Sequence, residues 1–573
     1  MKLEAVFHRP MSEYCHGLDE TRIVYRLRSA RDDLTAVTLA YGDTACRQTP
    51  ILFTPVPMEK IASDPLFDYW QVIVESPYER VYYYFELFDG ESSILYYGDV
   101  FTHHHVDDRS QYFKLPFHHR ADLARVPAWV QDAVVYNIFP DSFATGKKFI
   151  SMQPTQQEYG GQTVHGKLGG TLRGVTENID YLLQLGINCV YLNPIFAAGE
   201  YHKYDLLDYF HVDPVFGGDE AFREMVQSLH AKGIRVIIDG VFNHCGWHFF
   251  AFEDVVKNQE NSKYCSWFYR LTFPVQRPET PEIYPDYACF AYERMMPKLD
   301  TANPEVREYF CRVGRYWVEE FDIDGWRLDV ASEVDDGFWR AFRKAVKEVK
   351  PDALLIGEVW ESARHWLQGD MFDSAMNYDL RKHCELFFAR GRIDAFAFSG
   401  RLTDMLLRYK QQITPAQMNL LDSHDVSRFL SLCGGDLQKY KSAVLFQLCF
   451  PGMPTIFYGD EQGIEGVLEE EYRRPMPWDG GDRGLYDFFR RAISLRRELL
   501  PLRSGNFRIL SAEQGSRFLA FAREYQNQRV TVYINNDSMP HEIQEAGTCL
   551  LSQNLRGKQL IGGGFAVYSS CRA

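Results

Sequence analysis

The sequence predicts an α/β protein built around a (β/α)8 TIM barrel, with an inserted subdomain after strand 3 and a β-sandwich domain on each side. Between residues 126 and 503, strand-like apolar runs alternate with helical segments, and eight strand candidates can be counted. This alternation is typical of a parallel sheet closed into a barrel. A doubly wound open sheet is the alternative arrangement of the same pattern.

The two flanking regions lack helical periodicity. Residues 1–125 contain strand-like runs such as VYYYFELFDG, rich in β-branched and aromatic residues. Residues 504–573 return to short strands such as RVTVYINN. We therefore predict three domains, namely an N-terminal β-sandwich over 1–125, the barrel over 126–503 and a C-terminal β-sandwich over 504–573.

Within the barrel region, each strand candidate is short and most are followed by a helical segment. Residues 245–300 interrupt this rhythm with a stretch rich in aromatics, proline and charge. That stretch is too long for an ordinary loop, so we predict a small inserted subdomain. The strand candidates are AVVYNIFP, INCVYLNPIF, RVIIDGVFNH, GWRLDVAS, ALLIGEVW, SAMNYDL, QMNLLDSHD and PTIFYGDE.

Length, charge and composition restrict the classes of function. A chain of 573 residues is too long for one hydrophobic core. With 62 basic and 78 acidic residues, the formal charge of −16 argues against nucleic acid or anionic lipid as partners. Aromatic residues make up 15% of the chain, which fits either several β-rich cores or stacking platforms for an uncharged ligand such as a sugar.

The cysteines and the N-terminus predict a cytoplasmic protein. The 12 cysteines are scattered and form no C-x-x-C pair, so we expect reduced thiols and neither a disulfide framework nor a zinc site. The first residues, MKLEAVFHRP, lack the apolar run of a signal peptide. No later stretch is apolar enough to span a membrane, so no membrane partner is expected.

Charged and polar residues stand at the ends of four strand candidates. Arg327 and Asp329 are two apart, so they point to the same face of a strand. Taken alone, each of these residues could have a purely structural role, in a salt bridge inside the barrel or in an Asp-Gly turn. Four strand ends together indicate a site, because catalytic groups of a barrel gather there and unpaired buried charges cost several kcal/mol each. The other residues are Asp239, Asn243, His244, Glu358, Ser423, His424 and Asp425.

The acids, the arginine and the two histidines at these strand ends fit retaining glycoside hydrolysis. That reaction uses a carboxylate nucleophile and a protonated carboxylic acid about 5–5.5 Å apart. Asp329 lies beside Arg327, which should lower the pKa of the carboxyl and keep it ionised as a nucleophile. Glu358 follows the apolar run LLIG, where loss of water should favour the protonated acid needed by a leaving group.

The motifs at these strand ends resemble the alpha-amylase superfamily and, within it, the cyclomaltodextrinase, neopullulanase and maltogenic amylase group. The similarity runs from about residue 130 to the end, and an extra N-terminal β-domain is a trait of the group. The resemblance implies hydrolysis, with some transglycosylation, of α-1,4 bonds, and of α-1,6 bonds as a further class, in cyclomaltodextrins, short maltodextrins and pullulan. The matching motifs are HKYD (202–205), DGVFNH (239–244), MPKLD (296–300), GWRLDVASE (325–333), GEVW (357–360), LLDSHD (420–425) and YGDE (458–461).

The resemblance also implies a role for each site residue. Asp329 becomes the nucleophile, Glu358 the acid/base and Asp425 the third carboxylate, which binds sugar hydroxyls. Contacts to the cleaved sugar are implied for Arg327, His244, His424 and the stacking platform Tyr204, with Asp239 and Asn243 as a supporting pair. Further sugar sites are implied for Trp360 and Phe290 and for the acid–arginine pair Glu469 and Arg473, although these four could equally serve packing.

One loop departs from the group's pattern. Many members bind calcium through an Asn/Asp-rich loop after the first strand, completed by an Asp after a Gly-Gly pair. Here the loop reads DSFATGKKFISMQ, and Thr171 follows Gly169 and Gly170. Hard cations require several oxygen ligands, and lysines stand where these are needed. We therefore expect no calcium site and no other metal or cofactor.

Alternative functions remain open at this point. An exo-acting α-glucosidase or a sugar isomerase of the superfamily would use the same acids, but is less expected with MPKLD and the N-terminal domain. A non-enzymatic partner of a membrane transporter would lack the acids and carry a membrane span. The N-terminal domain could bind starch by itself or cover the active site of a second subunit. The resemblance favours a homodimer through this domain, with α-glucan oligosaccharides or cyclodextrins preferred to starch.

Overall fold

In the computed structural model, residues 1–571 are described and pack into two compact units. One unit contains residues 126–390 and 416–503. The other contains residues 1–125, residues 391–415 and the chain from residue 504 on.

The first unit is built on a closed barrel of eight parallel strands, taken in chain order around the circle. Every strand candidate contributes one barrel strand, so the predicted (β/α)8 fold is confirmed and the open-sheet alternative is wrong. Adjacent strands place Asp239 beside Arg327 in register. The barrel strands are Val135–Ile138, Cys189–Leu192, Arg235–Gly240, Gly325–Leu328, Leu354–Gly357, Ser374–Asn377, Met418–Leu420 and Met453–Phe457.

Helices surround the barrel and begin at side-chain caps that the sequence encodes. The helix Pro304–Phe321 starts after Asn303, whose side chain accepts the backbone N–H of Glu305, and Pro at its first position suits the helix start. The helix Asp336–Val349 starts after Asp335, whose side chain accepts the backbone N–H of Phe338. The remaining α-helices of this unit are Pro140–Phe143, Leu172–Thr176, Ile179–Leu185, Gly218–His230, Phe250–Asn258, Tyr378–Cys384, Phe429–Leu432, Leu437–Cys449, Glu469–Tyr472 and Arg483–Glu498, and the helix Leu500–Ser504 ends one residue beyond it.

The insertion after the third strand is a small subdomain with little regular structure. It contains the helix Phe250–Asn258 and three short 3-10 turns. Its end returns to the barrel, where Lys298 forms an antiparallel bridge with His244. The insertion therefore brings the MPKLD segment next to the end of the third strand.

The N-terminal part of the second unit consists of two antiparallel sheets, as predicted for a β-sandwich. One sheet has four strands and the other has six. Their core is aromatic, and Tyr83 stacks on Phe113 with ring centroids 5.5 Å apart. The strands are Cys15–Gly17, Arg22–Ala30, Ala36–Asp43, Thr54–Pro57, Glu59–Ser63, Phe67–Glu75, Val81–Phe88, Ser93–Tyr97, Val100–Thr102 and Phe113–Leu115.

The C-terminal part forms a six-stranded antiparallel sheet. The helix Ala395–Leu407 follows the sixth barrel strand in the chain but belongs to this second unit. Its Ala395 N–H donates to the carbonyl of Ser516 at 2.7 Å, and its Thr403 hydroxyl donates to the carbonyl of Ser63 at 3.1 Å. The C-terminal strands are Asn506–Ala512, Phe518–Tyr525, Gln528–Asn535, His541–Glu542, Thr548–Arg556 and Gln559–Cys571.

Among residues 1–571, no helix combines the length and the apolar character needed to cross a membrane.

Candidate active site

The centre of the site is Arg327, a fully buried residue of the fourth barrel strand. Its Nη1 lies 2.8 Å from Asp329 Oδ1 and 3.0 Å from Asp239 Oδ1. Its Nη2 lies 2.9 Å from Glu358 Oε1 and 4.0 Å from Asp425 Oδ2. One guanidinium therefore holds carboxyl groups from the ends of four barrel strands, because the third, fourth, fifth and seventh strands all end at the same rim.

Backbone strain helps to place Glu358. Val330 has φ 44° and ψ 44°, a left-handed conformation that is unfavourable for a β-branched residue. This conformation directs the Val330 N–H to Glu358 Oε2 at 2.9 Å, while the indole N–H of Trp360 donates to Oε1 at 3.1 Å. Trp360 is 50% exposed and stacks on Tyr378 with centroids 4.0 Å apart. The carboxylate of Glu358 thus faces N–H donors, and not the apolar surroundings expected from LLIG.

The protonation of the acids also differs from the expectation. Burial raises the pKa of Asp329 well above its usual range, and the charge of Glu358 raises it further, whereas Arg327 opposes the shift. The expected lowering of the pKa of Asp329 is therefore wrong. Burial is the main reason, and the charges of Glu358 and Asp239 add to it, because one cation faces four carboxyl groups.

The pKa of Asp425 is raised for the same reasons. Burial and the charge of Glu358 raise its pKa to about 7, against the opposing charges of Arg327 and Arg473. Its side chain keeps 28% of its surface exposed, so it is the carboxyl of the cluster with most access to solvent. Together, these shifts mean that the cluster retains a proton near neutral pH.

A second group of predicted residues surrounds His244. Burial, with the charge of Lys298, lowers the pKa of His244 to about 3, so its ring is neutral. Phe290 stacks on this ring with centroids 5.0 Å apart. In the described part of the chain, Nε2 of His244 meets no hydrogen-bond partner. Asn243 is fully buried between the Lys298 ammonium and Nδ1 of His244, so it positions the histidine and has no surface for a sugar.

Tyr204 and His424 lie parallel to each other, with ring centroids 5.7 Å apart. The Tyr204 hydroxyl contacts Nε2 of His424 and lies 3.3 Å from Asp239 Oδ2. Asp239 is fully buried and also binds Arg327 and the Tyr191 hydroxyl, the latter at 2.6 Å. Asp239 was predicted as one of the supporting pair, and its contacts are with Arg327 and the two tyrosines.

Arg473 connects the predicted acid–arginine pair to the cluster. Its Nη1 lies 2.6 Å from Glu469 Oε1, and its Nη2 lies 3.4 Å from Asp425 Oδ1. Its Nε donates to the backbone carbonyl of His424 at 2.8 Å. Tyr201 donates its hydroxyl to Glu469 at 2.9 Å. The pair is thus part of the same polar network as Asp425.

The predicted residues make the contacts described above. The structure also shows residues of the site that were not predicted from the sequence. Asn193 and Asn137 are buried at strand ends and lie behind His424. Their signal was the same as for the acids, a polar residue at the end of an apolar strand. The others missed are Tyr191, Lys298 and Tyr378, of which Lys298 lies within the MPKLD motif.

In the loop after the first strand, the oxygen atoms of Asp141 and Leu168 are hydrogen-bonded within the protein. The carboxylate of Asp141 accepts backbone N–H groups from Lys167 at 3.1 Å, Leu168 at 2.9 Å and Gly169 at 3.1 Å. The Ser151 hydroxyl donates to the carbonyl of Leu168 at 3.0 Å. These oxygens are engaged by the protein itself, whereas calcium needs six to eight oxygen ligands.

Two family descriptions match the chain. The alpha amylase catalytic domain matches residues 137–487, and the alpha amylase N-terminal ig-like domain matches residues 1–119. The chain belongs to the alpha-amylase family. The resemblance seen in the motifs is therefore confirmed, as is the assignment to the glycoside hydrolases.

Named relatives cover nearly the whole chain. It is 42% identical to a cyclomaltodextrinase of Geobacillus thermopakistaniensis over 98% of this chain and 95% of that protein. It is 40% identical to neopullulanase 2 of Thermoactinomyces vulgaris over 98% of this chain and 97% of that protein. Among solved structures, a cyclomaltodextrinase matches with a TM-score of 0.90 and 39% identity, over 99% of this chain and all of the other. The similarity of this alpha-amylase family member to those proteins thus extends over nearly the whole chain.

Proposed function

We propose that this protein hydrolyses α-1,4-glucosidic bonds, and also α-1,6 bonds, in cyclomaltodextrins, short maltodextrins and pullulan, with retention of configuration and some transfer to other sugars. The observation that carries the proposal is the buried Arg327 with Asp329, Glu358 and Asp425 around it. The names of the relatives, cyclomaltodextrinase and neopullulanase, support the choice of substrates.

In the proposed first step, Asp329 attacks the anomeric carbon while Glu358 gives a proton to the glycosidic oxygen. The glycosidic bond breaks and a covalent β-glycosyl ester forms on Asp329. In the second step, Glu358 removes a proton from water, which attacks the same carbon and releases the ester. Two inversions give an α-configured product. A sugar hydroxyl that replaces this water gives transglycosylation.

This reaction requires a proton on Glu358 and a free carboxylate on Asp329 when the sugar is bound. The cluster of acids already retains a proton, because burial and the charge of Glu358 raise the pKa of Asp329. Arg327 contacts both carboxyl groups within 3 Å, so either distribution of the proton leaves the guanidinium paired. We propose that a bound sugar shifts the proton from Asp329 to Glu358.

Sugar binding is proposed for groups that offer an unused polar atom, access to solvent or an aromatic face. His244 offers the unpartnered Nε2, and Asp425 is the most accessible carboxylate of the cluster. Tyr204 and Phe290 present aromatic rings beside the two histidines, and the half-exposed ring of Trp360 lies next to Glu358. Flat aromatic faces suit the apolar faces of sugar rings.

The test is to measure initial rates on cyclomaltodextrins, pullulan, soluble starch and acarbose in parallel. We expect the highest kcat/KM on cyclomaltodextrins or short maltodextrins. Proton NMR of the first products should show the α-anomer before mutarotation. No cleavage of any glucan, or a first product in the β configuration, would show that the proposal is wrong.

We also propose a cytoplasmic homodimer in which the N-terminal domain covers the partner's cleft and limits access for starch. The support for dimerisation is the resemblance of residues 1–125 to the extra domain of the group. The exposed free thiols of Cys549 and Cys571 support a reducing compartment. Sedimentation of the full-length chain should give a dimer. A monomer that prefers starch would contradict this proposal.

A further inference from the structure

We infer that Asn137 and Asn193 are positioning residues, which fix the ring nitrogen of His424 that carries the proton. The inference rests on the proposed function, because His424 contacts Asp425, the carboxylate proposed to bind sugar hydroxyls. All three residues of this relay are buried, so no solvent molecule competes for their hydrogen bonds. Two neighbouring barrel strands supply the asparagines, and the seventh strand leads to the histidine.

The first amide is oriented by the backbone. Asn137 lies in the first barrel strand, in register with Tyr191 of the second. The carbonyl oxygen of Tyr191 can only accept a hydrogen bond, so the atom of Asn137 at 3.2 Å from it must be Nδ2. The second proton of this Nδ2 points to Asn193 Oδ1 at 3.0 Å. The orientation of the Asn137 amide therefore sets that of Asn193.

The amide of Asn193 then decides which ring nitrogen of His424 carries the proton. Asn193 Nδ2 lies 2.9 Å from Nδ1 of His424 and 3.3 Å from the Tyr191 hydroxyl. An amide NH2 group only donates, so Nδ1 must accept through its lone pair. Burial, with the charges of Arg327 and Arg473, lowers the pKa of His424 well below its usual range, so the ring is neutral. Its single proton is therefore on Nε2.

This Nε2 faces the cleft. It lies 3.0 Å from Asp425 Oδ2 and also contacts the Tyr204 hydroxyl. That hydroxyl can accept, since its own proton goes to Asp239 Oδ2 at 3.3 Å. The other tautomer would set two donors against each other at Nδ1 and a bare lone pair against the Asp425 carboxylate. The asparagines thus maintain an N–H donor towards Asp425, as outer partners orient the ligands of other active sites.

Asn193→Asp tests the inference because a carboxylate accepts where the amide donated. The neutral ring would then carry its proton on Nδ1 and present a bare Nε2 to Asp425. We expect kcat to fall about ten- to hundredfold at neutral pH, the loss of one hydrogen bond to a charged group. Activity should recover as pH falls, because the doubly protonated ring again donates from Nε2. The wild-type profile should lack this recovery.

Two further variants separate positioning from folding. Asn188 stands at the opposite end of the same strand and uses its amide in the same way, accepting from Val134 N at 2.7 Å and donating to the Asp132 carbonyl at 2.8 Å. Asn188→Asp should lower the melting temperature while leaving the pH profile of kcat unchanged. Asn137→Leu, which frees the Asn193 amide to turn, should reduce kcat in the same direction by a smaller factor, and it replaces Asn193→Asp if that variant does not fold.

A measurement without substrate completes the test. In ¹³C-histidine-labelled protein, the ring carbon shifts distinguish the two tautomers, and His424→Gln identifies the signal. The wild type should show the proton on Nε2, and Asn193→Asp should show it on Nδ1 or a charged ring. A wild-type proton on Nδ1, or identical pH profiles for wild type and Asn193→Asp, would overturn the inference. A wild type with the expected tautomer that cleaves no glucan would refute the proposed function alone.

Discussion

Two buried arginines of the barrel unit form ion pairs with acids, yet their surroundings differ. Arg327 meets carboxyl groups from four strand ends, and the cluster opens to solvent at Asp425, which is 28% exposed. Arg428 binds Asp460 at 2.8 Å and also donates to the backbone carbonyls of Tyr458 and Tyr472. The Arg428 group is called the closed cluster, because backbone carbonyls complete the surroundings of its guanidinium. The Arg327 group is called the open cluster, and its single guanidinium faces four carboxyl groups.

The closed cluster also contains acids whose pKa is raised. Burial and the neighbouring Asp460 raise the pKa of Asp422 well above its usual range, and its Oδ1 accepts the backbone N–H of Phe429 at 2.5 Å. A buried acid with a raised pKa therefore does not by itself indicate catalysis. Access to solvent distinguishes the cleft, because the Asp425 side chain keeps 28% of its surface exposed.

The largest expected effect is on activity in the open cluster. Asp329→Asn and Glu358→Gln should each reduce kcat by at least about a thousandfold, because they remove the proposed nucleophile and acid. Neither should lower the melting temperature, since both replacements relieve repulsion among the acids. Initial rates on a cyclomaltodextrin and thermal unfolding measure the two quantities. More than a few per cent of residual turnover in either variant would refute its role.

In the closed cluster, we expect the reverse result. Asp460→Asn should lower the free energy of unfolding by about 3 kcal/mol, because it leaves the Arg428 guanidinium buried without its close counter-ion. The kcat should stay within a few fold of wild type. Asp422→Asn is the control, because the amide resembles the protonated acid and should change stability by less than about 1 kcal/mol. Denaturant unfolding with parallel rate measurements tests the contrast, which fails if Asp460→Asn abolishes turnover without loss of stability.

A smaller effect should appear in the pH dependence of stability. The pKa of Asp425 is about 7 in the folded protein and 3.8 by default. The folded state therefore binds the extra proton, and stability falls as pH rises from 3.8 to 7 and then stays level. Asp425→Asn removes this penalty. We expect it to stabilise the protein by roughly 1–2 kcal/mol at pH 8, reduced by solvent screening, and by much less at pH 4. Equal effects at both pH values would contradict this assignment.

The smallest expected effect concerns calcium. Because the oxygens around Asp141 are engaged by backbone amides, EDTA should change neither the melting temperature nor the rate on a cyclomaltodextrin. Added calcium should likewise have no effect. A fall in melting temperature that calcium reverses would show that another part of the chain binds the ion.

Several features of this protein could be read from the sequence alone. Eight apolar runs alternating with helices predicted the barrel, because a strand buried on both faces is a continuous apolar segment whatever its neighbours. Polar residues at the ends of those runs predicted the acids of the cleft, because parallel strands of a barrel end at one rim. Asp329 and Glu358 needed no knowledge of the tertiary structure to be proposed as partners.

Only the tertiary structure decided the properties that depend on which groups contact the same partner. The net pKa shift of Asp329 depends first on its burial and then on how many other carboxyl groups use the guanidinium of Arg327, and the register of the third strand placed Asp239 there. The tautomer of His424 depends on two amides that are distant in the chain. The helix Ala395–Leu407 follows a barrel strand, yet it packs with the β-sheets of the other unit. Each outcome results from competition among several groups for one partner, and sequence spacing does not record which groups meet.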